Sequence, residues 1–456
     1  MQTFKFNKLT LLTLFFVGAW FSDVSAQAEA GKFSLKEAIS YGLDNHNSIQ
    51  KSEMEIIKTK QRVNEALAAY LPQLNGSVGF TDNLVLPTSI LPGAIFGQPG
   101  QDVAVQFGTQ FNLNAVFDAS QLIYNQTLIT SLKALKEANS VVALNKQKVQ
   151  EQVANDIAAA YYAAQLSTIQ KGIIDANLQK LDSLLIIVKS QLDNGFAKKI
   201  DFNRLQVTHT NLKSDLQNIE LGYQMQLTVL KYFMSYPLDS AIVLTTDIAK
   251  DVENDVENYN NLINSRDIIS TDLKMLQAQR RLTEINIEQV NAGYFPTLSF
   301  NFRYGYQAQQ NEINFFNKDA NWFAFSSIGL NLQVPIFDGL NKKYKVDQLR
   351  IQLKQSSIDE DNLSEALKMQ LINAQSKVAL NKINVEQQKN NIAMADEIYE
   401  TTRIQFREGF APMTDLLNAE TAVREAQTNY LRALAQVKLA ELEVIKVSGN
   451  ISSISK

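Results

Sequence analysis

Two kinds of hydrophobic pattern follow one another along this chain, and they do so in the same order twice. Leu74, Gly76, Val78 and Phe80 alternate with Asn75, Ser77, Gly79 and Thr81, the period of two that marks a strand with unlike faces. Phe107, Phe111, Leu113, Ala115 and Phe117 predict its return strand, with Gln110, Asn112 and Asn114 on the other face. Far downstream, Leu298, Phe300, Phe302, Tyr304 and Tyr306 alternate with Ser299, Asn301, Arg303, Gly305 and Gln307. There the return strand sets Ala324, Ile328, Leu330, Leu332 and Val334 against Ser327, Gly329, Asn331 and Gln333. Outside these hairpins run long stretches without strand alternation or interior proline. They predict helices over about 34–69 (disturbed near 42–47), 127–194, 199–235, 258–292, 340–408 and onward from the glycine turn to about 448.

The boundaries have local causes. Ser34 and Glu37 fit a capping box that starts the first helix. Pro72 and Pro296 stop the helices before each hairpin, because the proline ring clashes with a helical backbone and restricts the residue before it. Pro87, Pro92 and Pro99 with several glycines predict a loop over 84–100. Tyr70-Leu71-Pro72-Gln73-Leu74 returns as Tyr294-Phe295-Pro296-Thr297-Leu298, and Gly195-Phe196-Ala197 with Asp201 returns as Gly409-Phe410-Ala411 with Asp415. The chain therefore divides into repeat 1 (27–236, hairpin about 73–124), a connector (237–257) with a β-prone run at 241–245, repeat 2 (258–449, hairpin about 297–337) and a tail (450–456).

The helices carry a second regularity. Leu416, Ala419, Val423, Ala426, Tyr430, Ala433, Val437, Ala440 and Val444 keep a 3-4 spacing, matched in the first copy by Phe202, Leu205, His209, Leu212, Leu216, Ile219, Tyr223, Gln226 and Leu230. Such a seam means sustained side-by-side packing with knobs in holes. A helix of roughly 68 residues spans roughly 100 Å, so stacked shorter helices beside it make rails of a rod. The strands, about ten residues each, have the length that crosses a tilted bilayer path. One apolar, aromatic face and one face of Asn, Gln, Ser and Gly fit lipid outside and water inside a barrel. Four strands cannot close a barrel, and open edges are not tolerated in lipid. Two chains would give eight strands with a plugged interior; three would give twelve, wide enough for water.

Composition narrows the class. Lys5 and Lys8, the apolar run from Leu9 to Phe21 and Val24-Ser25-Ala26 predict a secretory signal peptide over 1–26. The absence of cysteine excludes disulfides, thiolate metal sites, a thiol nucleophile and an N-terminal lipid anchor on cysteine. The two histidines, His46 and His209, are too far apart in sequence to suggest a metal site, and His209 on the helical seam is expected to be a hydrogen-bonded packing residue. A net charge of −4 with no basic block gives no sign of nucleic-acid binding.

With the duplicated order, the Tyr-Leu-Pro-Gln-Leu and Tyr-Phe-Pro-Thr-Leu motifs, Ile336-Phe337-Asp338-Gly339 before a long helix and the paired glycine turns, the chain resembles the outer membrane efflux protein family, the TolC-like channels. The resemblance implies an α+β, mostly α fold: a trimer whose 12-stranded transmembrane β-barrel is continued by a 12-helix α-barrel through the periplasm, with a mixed collar here formed by 237–257 and parts of both termini. It implies an outer-membrane protein of a Gram-negative cell, a passive exit channel of a tripartite efflux or type I secretion system, with no cofactor. The implied partners are two sister chains, outer-membrane lipid, a periplasmic membrane-fusion (adaptor) protein and, through it, an inner-membrane pump or ABC exporter.

The resemblance also assigns residues. Gly195, Phe196, Ala197, Gly409, Phe410 and Ala411 match the periplasmic tip turns that contact the adaptor. Asp201 and Asp415 match the aspartates that follow, Asp415 holding the first position of an acidic constriction whose next position here is Asn418. Where some members have a tyrosine and an arginine that latch the entrance, this chain has Phe406 and Ala411, so closure would rest on packing by Phe406 and Phe410. The competing readings are a trimeric coiled-coil spacer or adhesin, opposed by the four amphipathic strands, and an outer-membrane enzyme, for which no cysteine, plausible histidine constellation or glycine-rich phosphate-binding loop is present.

Overall fold

The structure, a computed structural model, describes residues 31–97, 99–254, 264, 268–317 and 320–449. The leader expected over 1–26, the end of the connector, most of the stretch 255–267 and the tail over 450–456 lie outside the described residues.

Strand β1 (Gly31–Phe33) leads into α1 (Leu35–Asn45), whose N-cap Ser34 side chain accepts from the Glu37 N–H while the Glu37 carboxylate accepts from the Ser34 N–H. These bonds hold the Glu37 carboxyl below its ordinary pKa. The disturbance expected near 42–47 is a break at His46, which ends α1 and caps α2 (Asn47–Ala68) by accepting from the Ser48 N–H at 3.1 Å. The chain then forms β2 (Gln73–Asp82) and, after a protruding hairpin, β5 (Phe111–Asn125). The Asn125 side chain accepts from the Leu128 N–H and starts α3 (Gln126–Asp193), 68 residues long, followed by α4 (Lys199–Met234). The connector supplies β6 (Ile242–Leu244) and α5 (Ile248–Asn254). The second half follows with α6 (Thr271–Ala292), β7 (Thr297–Gln310), β8 (Trp322–Gln333), α7 (Asn341–Arg407, 67 residues) and α8 (Met413–Ser448).

The protruding hairpin corrects the sequence reading. Part of the stretch expected to be loop is β3 (Thr88–Pro92), paired antiparallel with β4 (Asp102–Gln106). Proline is compatible with the end of a strand in a two-stranded ribbon, because no further ladder needs its missing N–H. Phe107 belongs to this ribbon rather than to β5: its N–H bonds the Pro87 carbonyl, and Gly108, at φ +108°, breaks the strand after it.

A four-stranded antiparallel sheet runs in the order β2-β5-β7-β8. Each hairpin of the sequence pattern is therefore present, and the two are joined by pairing β5 to β7 across the halves of the chain. The helices extend from one end of this sheet. α3 packs on α2 and α6 nearer the sheet and on α4 beyond them; α7 packs on α6 and α8. In the second half the shorter helices meet end to end, the Ile269 N–H bonding the Ser448 carbonyl at 3.1 Å. Gly449 turns the chain there at φ +73°, where a Cβ would collide with the Ile269 backbone.

Halfway along, β1 and β6 form a small parallel sheet against α3. Fully buried Tyr161 ties them together: its hydroxyl donates to the Phe33 carbonyl at 2.9 Å and accepts from the Thr246 N–H at 3.2 Å. Three buried clusters serve the helices, one at this belt, one toward the glycine turns and one between α7 and the end of α8. All nine seam positions from Leu416 to Val444 except Tyr430 are buried.

Candidate functional site

The two glycine turns have the same hydrogen-bond pattern. At the first, the Phe196 N–H bonds the Gln191 carbonyl (2.7 Å) and the Gly195 N–H the Leu192 carbonyl (3.0 Å); at the second, Phe410 bonds Gln405 (2.8 Å) and Gly409 bonds Phe406 (3.1 Å). This is the Schellman closure of a helix, which requires a left-handed residue. Gly195 and Gly409 supply it at φ +79° and +82°.

The turns share one core, in which Leu181, Leu184, Val188 and Leu205 meet Tyr399, Met413, Leu416 and Val423. Phe406, with Ala197 and Phe202, packs against that core. Phe196 and Phe410 lie outside it, 87% and 86% exposed. The sequence reading grouped Phe406 with Phe410; the structure separates them, one inside the helical hairpin and one at its tip. Asp201 and Asp415 each occupy the first turn of a helix, where a carboxylate faces unpaired N–H groups. Asp201 lies 3.5 Å from Arg204. Asp415 is exposed, its Oδ1 3.4 Å from the Thr414 hydroxyl, and Asn418 is exposed one turn on. His209 is a packing residue, its Nε2 2.9 Å from Asp182 Oδ1.

Two arrangements escaped sequence reading. Buried in the shared core, Glu420 lies 2.8 Å from Arg424 one turn along α8. Burial raises the Glu420 pKa, and Arg424 opposes that rise. On the sheet, Asp118 and Arg303 are opposite one another on β5 and β7, with Arg303 Nε 2.6 Å from Asp118 Oδ1. An (i, i+4) Glu and Arg is a sequence-visible signal for the first. The second needs the register between strands far apart in the chain.

The sheet itself is the other half of the site. Leu74, Val78, Phe80, Phe117, Tyr304, Tyr306, Ile328, Leu330 and Leu332 lie on one face, all exposed. So large an apolar surface does not stand in water. No helix among the described residues is long and apolar enough to cross a membrane. Among the described residues no group of three or more His, Asp or Glu side chains could hold a metal ion.

Solved structures share this arrangement along nearly their whole length. CusC aligns with a TM-score of 0.70 at 15% identity, covering 93% of this chain and 95% of that one. The open state of the MtrE outer membrane channel of Neisseria gonorrhoeae gives 0.69 at 14%, covering 92% and 90%. VceC, an outer membrane protein of Vibrio cholerae, gives 0.67 at 13%, covering 91% and 96%. At these identities the likeness is one of fold. The sequence of residues 263–450 matches the family model of outer membrane efflux proteins. That match lies in the second half of the chain. No curated protein matches its sequence significantly.

Proposed function

We propose that this chain is a member of the outer membrane efflux protein family and forms a passive trimeric exit duct: twelve strands closing a barrel in the outer membrane, continued by twelve helices through the periplasm. One observation carries the reading. The sheet ends in two strands, β2 and β8, each with only one strand partner, while one of its faces is apolar over four strands. Unpaired edges cannot remain in lipid, so the edge of one chain has to meet the edge of the next. All neighbours in the sheet are antiparallel, and β8 of one chain can continue onto β2 of another in the same sense. The matched helix lengths, 22, 68 and 36 residues in the first half and 22, 67 and 36 in the second, favour an internal duplication and a tube of near-equivalent walls.

The tip turns are then the periplasmic entrance. Phe196 and Phe410 present apolar surface to an adaptor, which would connect the duct to an inner-membrane pump or exporter. Three Asp415 side chains around a narrow passage raise the local cation concentration. Splaying of the tip hairpins opens the entrance, driven by tighter adaptor binding to the open form. The test is single-channel conductance in planar bilayers, comparing the protein with Asp415→Ala. A small cation-selective conductance that loses its selectivity in the variant is the expected result. Inserted trimers that never conduct, with or without adaptor, would overturn the duct and return the chain to a coiled-coil spacer.

A further inference from the structure

We infer that Asp118 masks Arg303 on the polar face of the transmembrane sheet, so that the bore lined by that face is charge-neutral and passes cargo of either sign. The inference rests on the channel reading above and adds a specificity-determining pair to it.

Alternation sorts the strands into two faces. Asn75, Ser77, Gly79 and Thr81 of β2 share a face with Asn112, Asn114, Val116, Asp118 and Ser120 of β5, because they pair in register. The same register adds Ser299, Asn301, Arg303, Gly305 and Gln307 of β7, and then Phe323, Phe325, Ser327, Gly329 and Asn331 of β8. Asp118 and Arg303 are the only ionisable side chains among these positions, and they are direct cross-strand partners. Their 2.6 Å approach neutralises each by the other. Both remain reachable by solvent, with the Arg303 side chain 59% and the Asp118 side chain 36% exposed. Ser327, the partner of Arg303 on its other side, and Gly329 near it are small, while the Phe325 ring lies over Gly305.

In a barrel of three chains the pair recurs three times at one height. An unpaired guanidinium there would add to its two copies around the same bore and act on any charged cargo that passes within about a Debye length of the wall, about 8 Å at physiological salt. Rings of one sign change local ion concentrations tenfold or more. Pairing within the wall removes that field. Charge selection is then left to the tip, where Asp415 is exposed.

The chain has no cysteine, so a single introduced thiol reports without background. Ser327→Cys is placed in the full-length protein reconstituted in vesicles. Its modification rates are measured with an anionic sulfonatoethyl and a cationic trimethylammonioethyl methanethiosulfonate of similar size. The expected ratio of the two rates equals that of free cysteine. Asp118→Asn raises the anionic-to-cationic ratio about tenfold, Arg303→Gln lowers it, and the double variant restores it. If one single variant fails to assemble, the other reads the same masking with opposite sign. An unchanged ratio in assembled single variants overturns the inference and leaves the pair as a register pin between β5 and β7. A thiol that reacts with neither charged reagent but with a membrane-soluble maleimide overturns the channel reading itself, because that face would then not be wet.

Discussion

Glu420 lies one helical turn before Arg424 on α8, its Oε1 2.8 Å from the guanidinium Nε, inside the core that joins the two tip turns. The residue is only 6% exposed, and neither of its carboxylate oxygens makes a well-aligned hydrogen bond to a described residue. A close but poorly aligned pair returns less energy than the burial of its charges requires. The Glu420 pKa is accordingly raised, by burial first, against the opposing pull of Arg424 and Lys180.

The raised pKa sets the sign of a pH effect. Between the ordinary carboxylate pKa and the raised value, the folded chain holds a proton that the unfolded chain has lost, so stability falls as pH rises through that window. The opening free energy of the tip-proximal helices, taken from hydrogen exchange after correction for base-catalysed intrinsic exchange, is expected to fall across that window and then level off. Glu420→Gln is expected to abolish this dependence, and Arg424→Ala, which leaves the carboxylate uncompensated, to destabilise by about 3 kcal/mol at neutral pH. Identical profiles for the parent and Glu420→Gln would show that the carboxylate is ionised throughout.

The belt halfway along the helices depends on one hydroxyl. Tyr161 bonds both the Phe33 carbonyl and the Thr246 N–H from a fully buried position. Tyr161→Phe keeps the ring and leaves the part-buried Thr246 N–H without its hydroxyl partner, at a cost of about 1–3 kcal/mol, while the Phe33 carbonyl keeps its bond from the Thr245 N–H. A lowered melting temperature, with exchange increased first at residues 31–33 and 242–246, is the expected outcome. An unchanged melting curve would mean that water replaces the hydroxyl.

The left-handed glycines are ranked by their surroundings. At Gly195 and Gly409 a Cβ would meet nothing within 4 Å, so alanine there brings only the backbone penalty, about 1 kcal/mol. At Gly449 the same Cβ collides with the Ile269 backbone at the junction of α8 and α6. Gly449→Ala is therefore expected to lower the unfolding midpoint more than either tip substitution. Equal losses at the three sites would show that the junction yields.

Hydrophobic period, proline and glycine were enough to order the elements. The alternation through Leu74–Phe80 and Leu298–Tyr306 names strands because side chains on a pleated backbone alternate, whatever packs on them. The helix ends at Pro72, Gly195, Pro296 and Gly409 are likewise local events of backbone sterics. The ribbon at Thr88–Gln106 was hidden for a local reason too, since its prolines are permitted by an edge that only a two-stranded pairing provides.

The identity of each segment was therefore legible from local pattern alone: two hairpins with one apolar face, long seamed helices, and turns that only glycine makes easily. Which segments meet was settled by packing across the whole chain. That β5 pairs with β7, so that Asp118 opposes Arg303, depends on a register between residues nearly two hundred positions apart. Phe406 enters the core while Phe410 stays at the surface because helix packing, not residue type, settles which side of a hairpin is inside. Local periods follow from the geometry of one chain segment, whereas register and burial follow from the non-local contacts that fill space between segments.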